Sequence, residues 1–348
     1  MFKKVETLRF YLGRGVHTFL SYWSGYRITP KPAVMYFELT YRCTCKCKFC
    51  ERWKVGPKLA RNELTTEEIK KMLVDAYSLG VRYLGLTGGE PLLKKDLFKI
   101  ADFAKKIGLN VTMASNGTLI NEKNIKQIGK SFDSVAISMD SISPETHDKL
   151  RGVKGVYEKA MKTLKLLKAE RIPLVVNMVI TRENYKEIDR YLQFFSQKNI
   201  PVQLTPVHDC DANFLRVNDK KIKQIDTNEF KKQWRALTNK YSFFNNGYYR
   251  HVPTFLSAPK KLIHSYTCFA GTAVFFVNPY GDVCPCEFLR QKMGNIREES
   301  LRNIWSNAIG LRRTISSSKR ACVCWSHCAV PLNNRLTRGI AFKKLFSQ

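Results

Sequence analysis

Between residues 34 and 207 the chain alternates short apolar runs with amphipathic segments, and this rhythm limits the fold more than any other feature. The runs at 34–40, 81–87, 110–114, 134–139, 174–180 and 202–206 have strand length and strand composition. Helical spacing falls near 65–79, 94–107, 121–130, 155–170 and 183–198. Thr65 with Glu68 three residues on reads as a capping box. Gly80 and Gly108 stand just past helix ends, where a left-handed residue is wanted. Strands separated by helices must pair in parallel, because a hairpin turn cannot bridge them. Six such units suit a partial barrel or an open doubly wound sheet, and periodicity alone does not separate the two.

Composition narrows the function classes. The net charge of +30 on 348 residues predicts attraction to something anionic: a phosphate-bearing lipid, a nucleic acid or an acidic partner. The plainer reading is that lysine is spread over solvated faces. The eleven cysteines fall into groups at 43/45/47/50, 268/284/286 and 322/324/328, with Cys210 alone. No secretory leader is recognisable, which points to a cytoplasmic protein whose clustered cysteines are metal ligands rather than disulfides. No apolar run approaches the roughly 18 residues of a membrane span.

The first group, Cys43-Thr-Cys45-Lys-Cys47-Lys-Phe-Cys50, directly follows the first strand. Loops after parallel strands build active sites. Cys43, Cys47 and Cys50 are spaced C-x3-C-x2-C, which suits three thiolates on a four-iron cluster with one iron left open. Zinc, with Cys45 or a distant group as fourth ligand, is the alternative. Thr87-Gly88-Gly89-Glu90-Pro91 follows the second strand, Ser115-Asn116-Gly117 the third and Ser138-Met139-Asp140 the fourth. Asn177 lies on the fifth, and His147-Asp148-Lys149-Leu150-Arg151-Gly152 lies between the fourth and fifth.

With Phe49 before the last cysteine and a GGE motif in register on the next unit, residues 33–207 resemble the radical SAM superfamily. The resemblance implies a partial (β/α)6 TIM-like barrel. It also implies a [4Fe-4S] cluster on Cys43, Cys47 and Cys50, with Cys45 a bystander. S-adenosylmethionine would be chelated at the open iron and cleaved reductively to a 5′-deoxyadenosyl radical. Gly88, Gly89, Glu90, Asn116, Ser138, Asp140, Asn177 and Arg151 are then the expected cosubstrate contacts. Of these, Glu90 would accept a hydrogen bond from the ligand's ammonium, and Arg151 would bind carboxylate or pair with Asp148. An electron donor such as ferredoxin or flavodoxin is implied as well.

Further along, Cys268, Gly271, the turn Asn278-Pro-Tyr-Gly-Asp282, Cys284-Pro-Cys286 and Cys322-Val-Cys324-Trp-Ser-His-Cys328 resemble the SPASM/twitch extension of that superfamily. This implies one auxiliary [4Fe-4S] cluster on Cys268, Cys286, Cys324 and Cys328. Cys284, Cys322 and His327 are substitutes, and a structural zinc is the alternative. The expected organisation is a basic amphipathic segment 1–32, the radical core 33–207, a basic bridge 208–267, a small cysteine-rich α+β domain 268–330 with a hairpin near 274–283, and a basic amphipathic tail 331–348. In the first segment Leu8, Leu12, Val16, Phe19, Leu20 and Trp23 recur at helical spacing. Such a stripe either packs on the barrel or lies on an anionic membrane surface. The readings of function are radical modification of a peptide or protein, radical modification of a lipid or isoprenoid at the membrane surface, and a metal-stabilised nucleic-acid binder. Nothing in the chain resembles a nucleic-acid module, and that last reading leaves the GGE motif unexplained.

Overall fold

The computed structural model describes residues 2–208, 223–244, 246–263, 265–289, 291–317, 323–326, 330–331 and 333, with side chains from residue 13 onward. Cys210, Cys322, His327, Cys328 and the tail from 334 lie outside the described residues.

All six expected strands form: β1 (Val34–Thr40), β2 (Tyr83–Gly88), β3 (Asn110–Ser115), β4 (Ser134–Ser138), β5 (Leu174–Ile180) and β6 (Val202–Pro206). Each pairs in parallel with the next. Helix α1 (Phe2–Trp23) precedes them and α2 (Arg52–Leu59) follows the cysteine loop. The crossovers are carried by α3 (Thr66–Leu79), α4 (Leu97–Lys106), α5 (Ile125–Ser131), the pair α6 (Pro144–Arg151) and α7 (Val156–Ala169), and α8 (Ile188–Gln197). This is the partial (β/α)6 barrel. The capping box at Thr65 and Glu68 is formed, and Gly80 closes α3 at φ 117°. On β1, Met35, Phe37 and Leu39 join the helix-side core with Ile69, Leu73 and Ala76 of α3. The alternate residues Val34 and Tyr36 face a second, smaller apolar cluster with Val274, Phe276 and Cys284.

Three elements differ from expectation. Helix α2 carries Pro57 and Gly56, which hide its helical signal. Gly56 is required there, since a Cβ would lie 2.2 Å from the Tyr41 backbone. Helix α6 falls between the helices expected near 121–130 and 155–170. It is started by Pro144 behind a Ser143 cap and ended by Gly152 at φ 68°. In the bridge, α9 (Thr227–Lys240) buries Phe230, Trp234 and Leu237 at helical spacing, and the short helices α10 (Gly247–Arg250) and α11 (Val252–Ser257) follow.

The C-terminal hairpin forms about its Asn278–Asp282 turn, from β7 (Val274–Val277) and β8 (Asp282–Cys284), with a short β9 (Gly294–Asn295) beside β8. It does not stand in a sheet of its own. Strand β7 pairs in parallel with β1, giving one nine-stranded sheet in the order β6-β5-β4-β3-β2-β1-β7-β8-β9. Helices α12 (Leu301–Asn307) and α13 (Ile309–Ser316) close this end, with Trp305 packed on Phe275 at 5.0 Å between ring centres. The barrel edge at β1 is thereby covered. Because Phe275 is fully buried on the shared sheet, Phe275→Ala is expected to destabilise the whole chain by about 3–5 kcal/mol. Guanidinium denaturation followed by far-ultraviolet circular dichroism should show one shifted transition. A shift confined to a minor part of the helical signal would contradict the shared core.

Candidate active site

The C-terminal ends of the parallel strands open on one cavity of about 260 Å³. Its wall takes Cys43, Cys45, Cys47, Phe49 and Cys50 from the loop after β1, Arg52 and Trp53 from the start of α2, and Thr87, Gly88 and Gly89 from the end of β2. The later strands add Ala114, Ser115 and Asn116, then Ser138, Asn177, Val179 and Thr205, while Arg151 comes from α6. Glu287 and Phe288, just beyond Cys286, complete the wall together with His208.

The cysteine loop is held from three sides. Lys46 N donates to Arg151 O at 2.8 Å and Lys48 N to Leu150 O at 3.1 Å, so the loop is pinned to the end of α6. Gly152 there is obligatory, because a Cβ would meet Lys46 O at 2.3 Å. On the second side, Asn116 Nδ2 donates to Thr44 Oγ1 at 2.9 Å and approaches Cys43 Sγ at 3.7 Å. On the third, Gly89 N donates to Thr40 O at 2.6 Å and Glu90 N to Arg42 O at 2.8 Å. Cβ atoms on Gly88 and Gly89 would strike Thr40 O and Arg42 O at 2.4 and 2.2 Å. The glycine pair is therefore needed for the chain's own close packing, while its backbone also lines the cavity.

The thiols are not equivalent. Cys45 is buried between Cys43 and Cys47, and hydrogen bonding to both pushes its own thiol far up while pulling theirs down. Arg151 adds to the pull on Cys47, with its Nη1 at 3.7 Å from Cys47 Sγ. Burial pushes Cys50 up to about 12. Among the described residues no three His, Cys, Asp or Glu side chains meet at the single point one metal ion needs. Cys43, Cys45, Cys47 and Cys50 lie together on the cavity wall, and clustered thiols are the donor set that an iron–sulfur cluster takes. Trp53 Nε1, on the same wall, is buried without a hydrogen-bond partner.

Of the expected cosubstrate residues, Gly88, Gly89, Asn116, Ser138, Asn177 and Arg151 reach the cavity, whereas Glu90 and Asp140 stand behind its wall. Glu90 is fully buried and its carboxylate is committed to the protein. Ser115 Oγ donates at 3.0 and 3.1 Å, Asn116 N at 2.9 Å and Leu92 N at 3.3 Å. It holds the turn after β3. Asp140 receives Arg151 Nε at 2.7 Å and Val179 N at 3.0 Å. Arg151 thus pairs with Asp140 and not with Asp148, whose oxygens accept from Gly155 N and Tyr157 N.

Several residues were not singled out in the sequence. Arg52 is a buried cation bridging Glu38 on β1 and Glu287, the latter at 2.9 Å. Burial pushes Glu38 up to about 7 against the pull of Arg52. A glutamate inside the apolar run of β1 was the available signal. His208, after β6, stacks on Phe288 at 4.5 Å and accepts from Trp325 N at 2.8 Å. Burial holds it down to about 4, so it is neutral.

The C-terminal cysteines separate by face. Cys268 and Cys286 are buried in the main core, with Cys324 packed against it. Cys284 points instead into the cluster with Val274 and Phe276, where burial pushes its thiol up to about 12. Tyr266 donates to Cys324 O at 3.0 Å, and the next residue, Trp325, reaches His208. The auxiliary segment is thus tied directly to the cavity wall.

The buried Glu90 has a pH signature. Desolvation raises its carboxyl from an ordinary 4.5 to about 7. Between those values the folded chain holds more proton than the unfolded chain, so stability falls as pH rises. In Glu90→Gln this fall is expected to flatten. Denaturation midpoints measured across the same window check it, and an unchanged slope would contradict the assignment.

Residues 37–195 match the Radical SAM superfamily and residues 268–329 the SPASM iron-sulfur cluster-binding domain. The AdoMet-dependent heme synthase of Methanosarcina barkeri is 28% identical over 302 residues, covering 82% of this chain and 85% of that protein. The PqqA peptide cyclase of Rhizobium meliloti is 29% identical over 297 residues, covering 82% and 77%. Among solved structures, Streptococcus suis SuiB bound to precursor peptide SuiA superimposes with a TM-score of 0.65 at 18% identity, covering 84% of this chain and 71% of that one, which shows a shared fold. The paired domains imply a four-iron cluster, S-adenosylmethionine and auxiliary iron–sulfur. The chain carries a radical SAM domain at residues 37–195 and a SPASM domain at residues 268–329.

Proposed function

We propose that this enzyme modifies a peptide or protein side chain by hydrogen abstraction in the cavity at the strand ends. The observation that carries this is the composition of the wall: the C-x3-C-x2-C thiols on one side, Glu287 and Phe288 of the SPASM segment on the other, around one space of about 260 Å³. When bound, a four-iron cluster with S-adenosylmethionine supplies a 5′-deoxyadenosyl radical after one-electron reduction.

Cys43, Cys47 and Cys50 hold the cluster in this reading, and Cys45 stays protonated between its neighbours. The Gly88–Gly89 backbone, Asn116, Ser138 and Asn177 hold the cosubstrate. Arg151 keeps positive charge beside the thiolates, and Asp140 fixes its orientation. Glu90 fixes the turn that carries Asn116. Phe49, Trp53, Val179, Val207 and Phe288 keep water from the radical. Cys268, Cys286 and Cys324, with Cys328, hold the auxiliary cluster. A ferredoxin or flavodoxin supplies the electron, and the net charge of +30 suits an acidic donor of this kind.

The PqqA peptide cyclase similarity supports the peptide class. Anaerobically reconstituted enzyme with reductant and S-adenosylmethionine should release 5′-deoxyadenosine, read by liquid chromatography and mass spectrometry. Replacing Cys43, Cys47 and Cys50 together by alanine should abolish it while part of the four-iron absorbance remains. Product that persists in the triple variant would overturn the assignment.

A further inference from the structure

Helix α1 carries two apolar faces. Phe19 and Tyr22 pack on Phe269 and Ala273, with the Tyr22 and Phe269 rings 5.8 Å apart. Among the described residues the other face has no such cover. Val16 is 61% exposed, Leu20 48%, Trp23 52% and, just beyond the helix, Ile28 45%. They recur at 16, 20 and 23 on one stripe, which is unusual for large apolar side chains on a folded surface.

The surroundings of this stripe are positive. Arg27 and Lys31 are exposed beside it. Arg14, which donates to Gly80 O at 3.0 Å, lies close enough to Arg82 for the two to repel. His17 is held low by burial and by the charges of Lys31 and Arg14. In sequence the same helix carries Lys3, Lys4 and Arg9 against a lone Glu6. Its occupant must therefore be anionic as well as apolar. That excludes the chain's own tail, which is rich in Arg335, Arg338, Lys343 and Lys344. A tryptophan and aliphatic stripe flanked by arginine and lysine suits a lipid interface.

Position in the fold adds a direction. Helix α1 contacts Gly80, just before β2, and Ala273, just before β7, while Pro30 O, before β1, accepts from Trp305 Nε1. These are the N-terminal ends of parallel strands, and the cavity opens at their C-terminal ends. No helix among the described residues is long and apolar enough to cross a membrane, so contact would be along the surface.

We infer that the Val16–Leu20–Trp23 face of α1 docks the enzyme on an anionic bilayer with the catalytic mouth turned away from the lipid. Docking does not depend on the substrate class, but its geometry favours a substrate delivered from the aqueous side over a lipid in the plane.

The test is flotation of the reconstituted full chain with vesicles of equal parts phosphatidylglycerol and phosphatidylcholine, beside vesicles of phosphatidylcholine alone. The expected result is flotation with the anionic vesicles only, weakened at least roughly tenfold in Leu20→Ser/Trp23→Ser. Val74→Ser, an equally exposed apolar site on α3, should leave it intact. The 5′-deoxyadenosine rate of the double variant should match the parent, showing an intact fold. A chain that does not float, or a double variant that floats as well as the parent, overturns the inference. So does a lipid-free dimer, seen by light scattering, that the double variant converts to monomer, since the occupant is then a second copy.

Discussion

One buried cation holds the two halves of the site together. Arg52 follows the last cysteine of the first loop by two residues, and Glu287 directly follows Cys286. Their ion pair, with Glu38 on β1 as the third member, fixes the start of α2, the strand beneath it and the SPASM segment to one another. Arg52 lies over the Tyr41 ring at 5.5 Å, and Tyr41 in turn donates to Glu38 at 2.9 Å. Buried charges are costly unless fully partnered, and losing one partner leaves the others stranded. Such a triad adds little net stability compared with apolar packing, but it sets one relative position of the two cysteine-bearing segments. The β1–β7 pairing does the same through the backbone, so the auxiliary domain and the barrel share a sheet, a core and a cavity wall.

Around that frame the motif residues divide between those that face the cavity and those that build its wall. Gly88, Asn116, Ser138 and Asn177 face it. Glu90, Asp140, His147 and Gly152 work behind it. His147 Nδ1 accepts from Asp140 N at 3.0 Å, which positions the carboxylate that orients Arg151.

What could be read from the sequence was mostly local. The six strands follow from runs of β-branched and aromatic residues, and the start of α3 from Thr65 and Glu68. Gly80 and Gly108 have the left-handed backbone expected of them, at φ 117° and 97°. The three thiols and the glycine pair reach one cavity because loops after parallel strands must emerge at the same end. Pairings between distant segments could not be read in this way. Val274–Val277 reads as half of a hairpin, and nothing in its composition says that its other edge pairs with Val34–Phe37. Arg151 has Asp148 one helical turn back in sequence, yet the fold places Asp140 nearer and leaves Asp148 to cap the next helix. The stripe on α1 was visible as a period, but only the structure divides Phe19, turned inward, from Leu20 and Trp23, turned to solvent.

We propose that the first cysteine loop and the strand ends around it form one site for a cluster and its cosubstrate. Electron paramagnetic resonance of the reduced, reconstituted C268A/C286A variant tests it most directly, because the first cluster then dominates the signal. The expected result is a four-iron spectrum that shifts when S-adenosylmethionine is added. A four-iron spectrum indifferent to S-adenosylmethionine would contradict it.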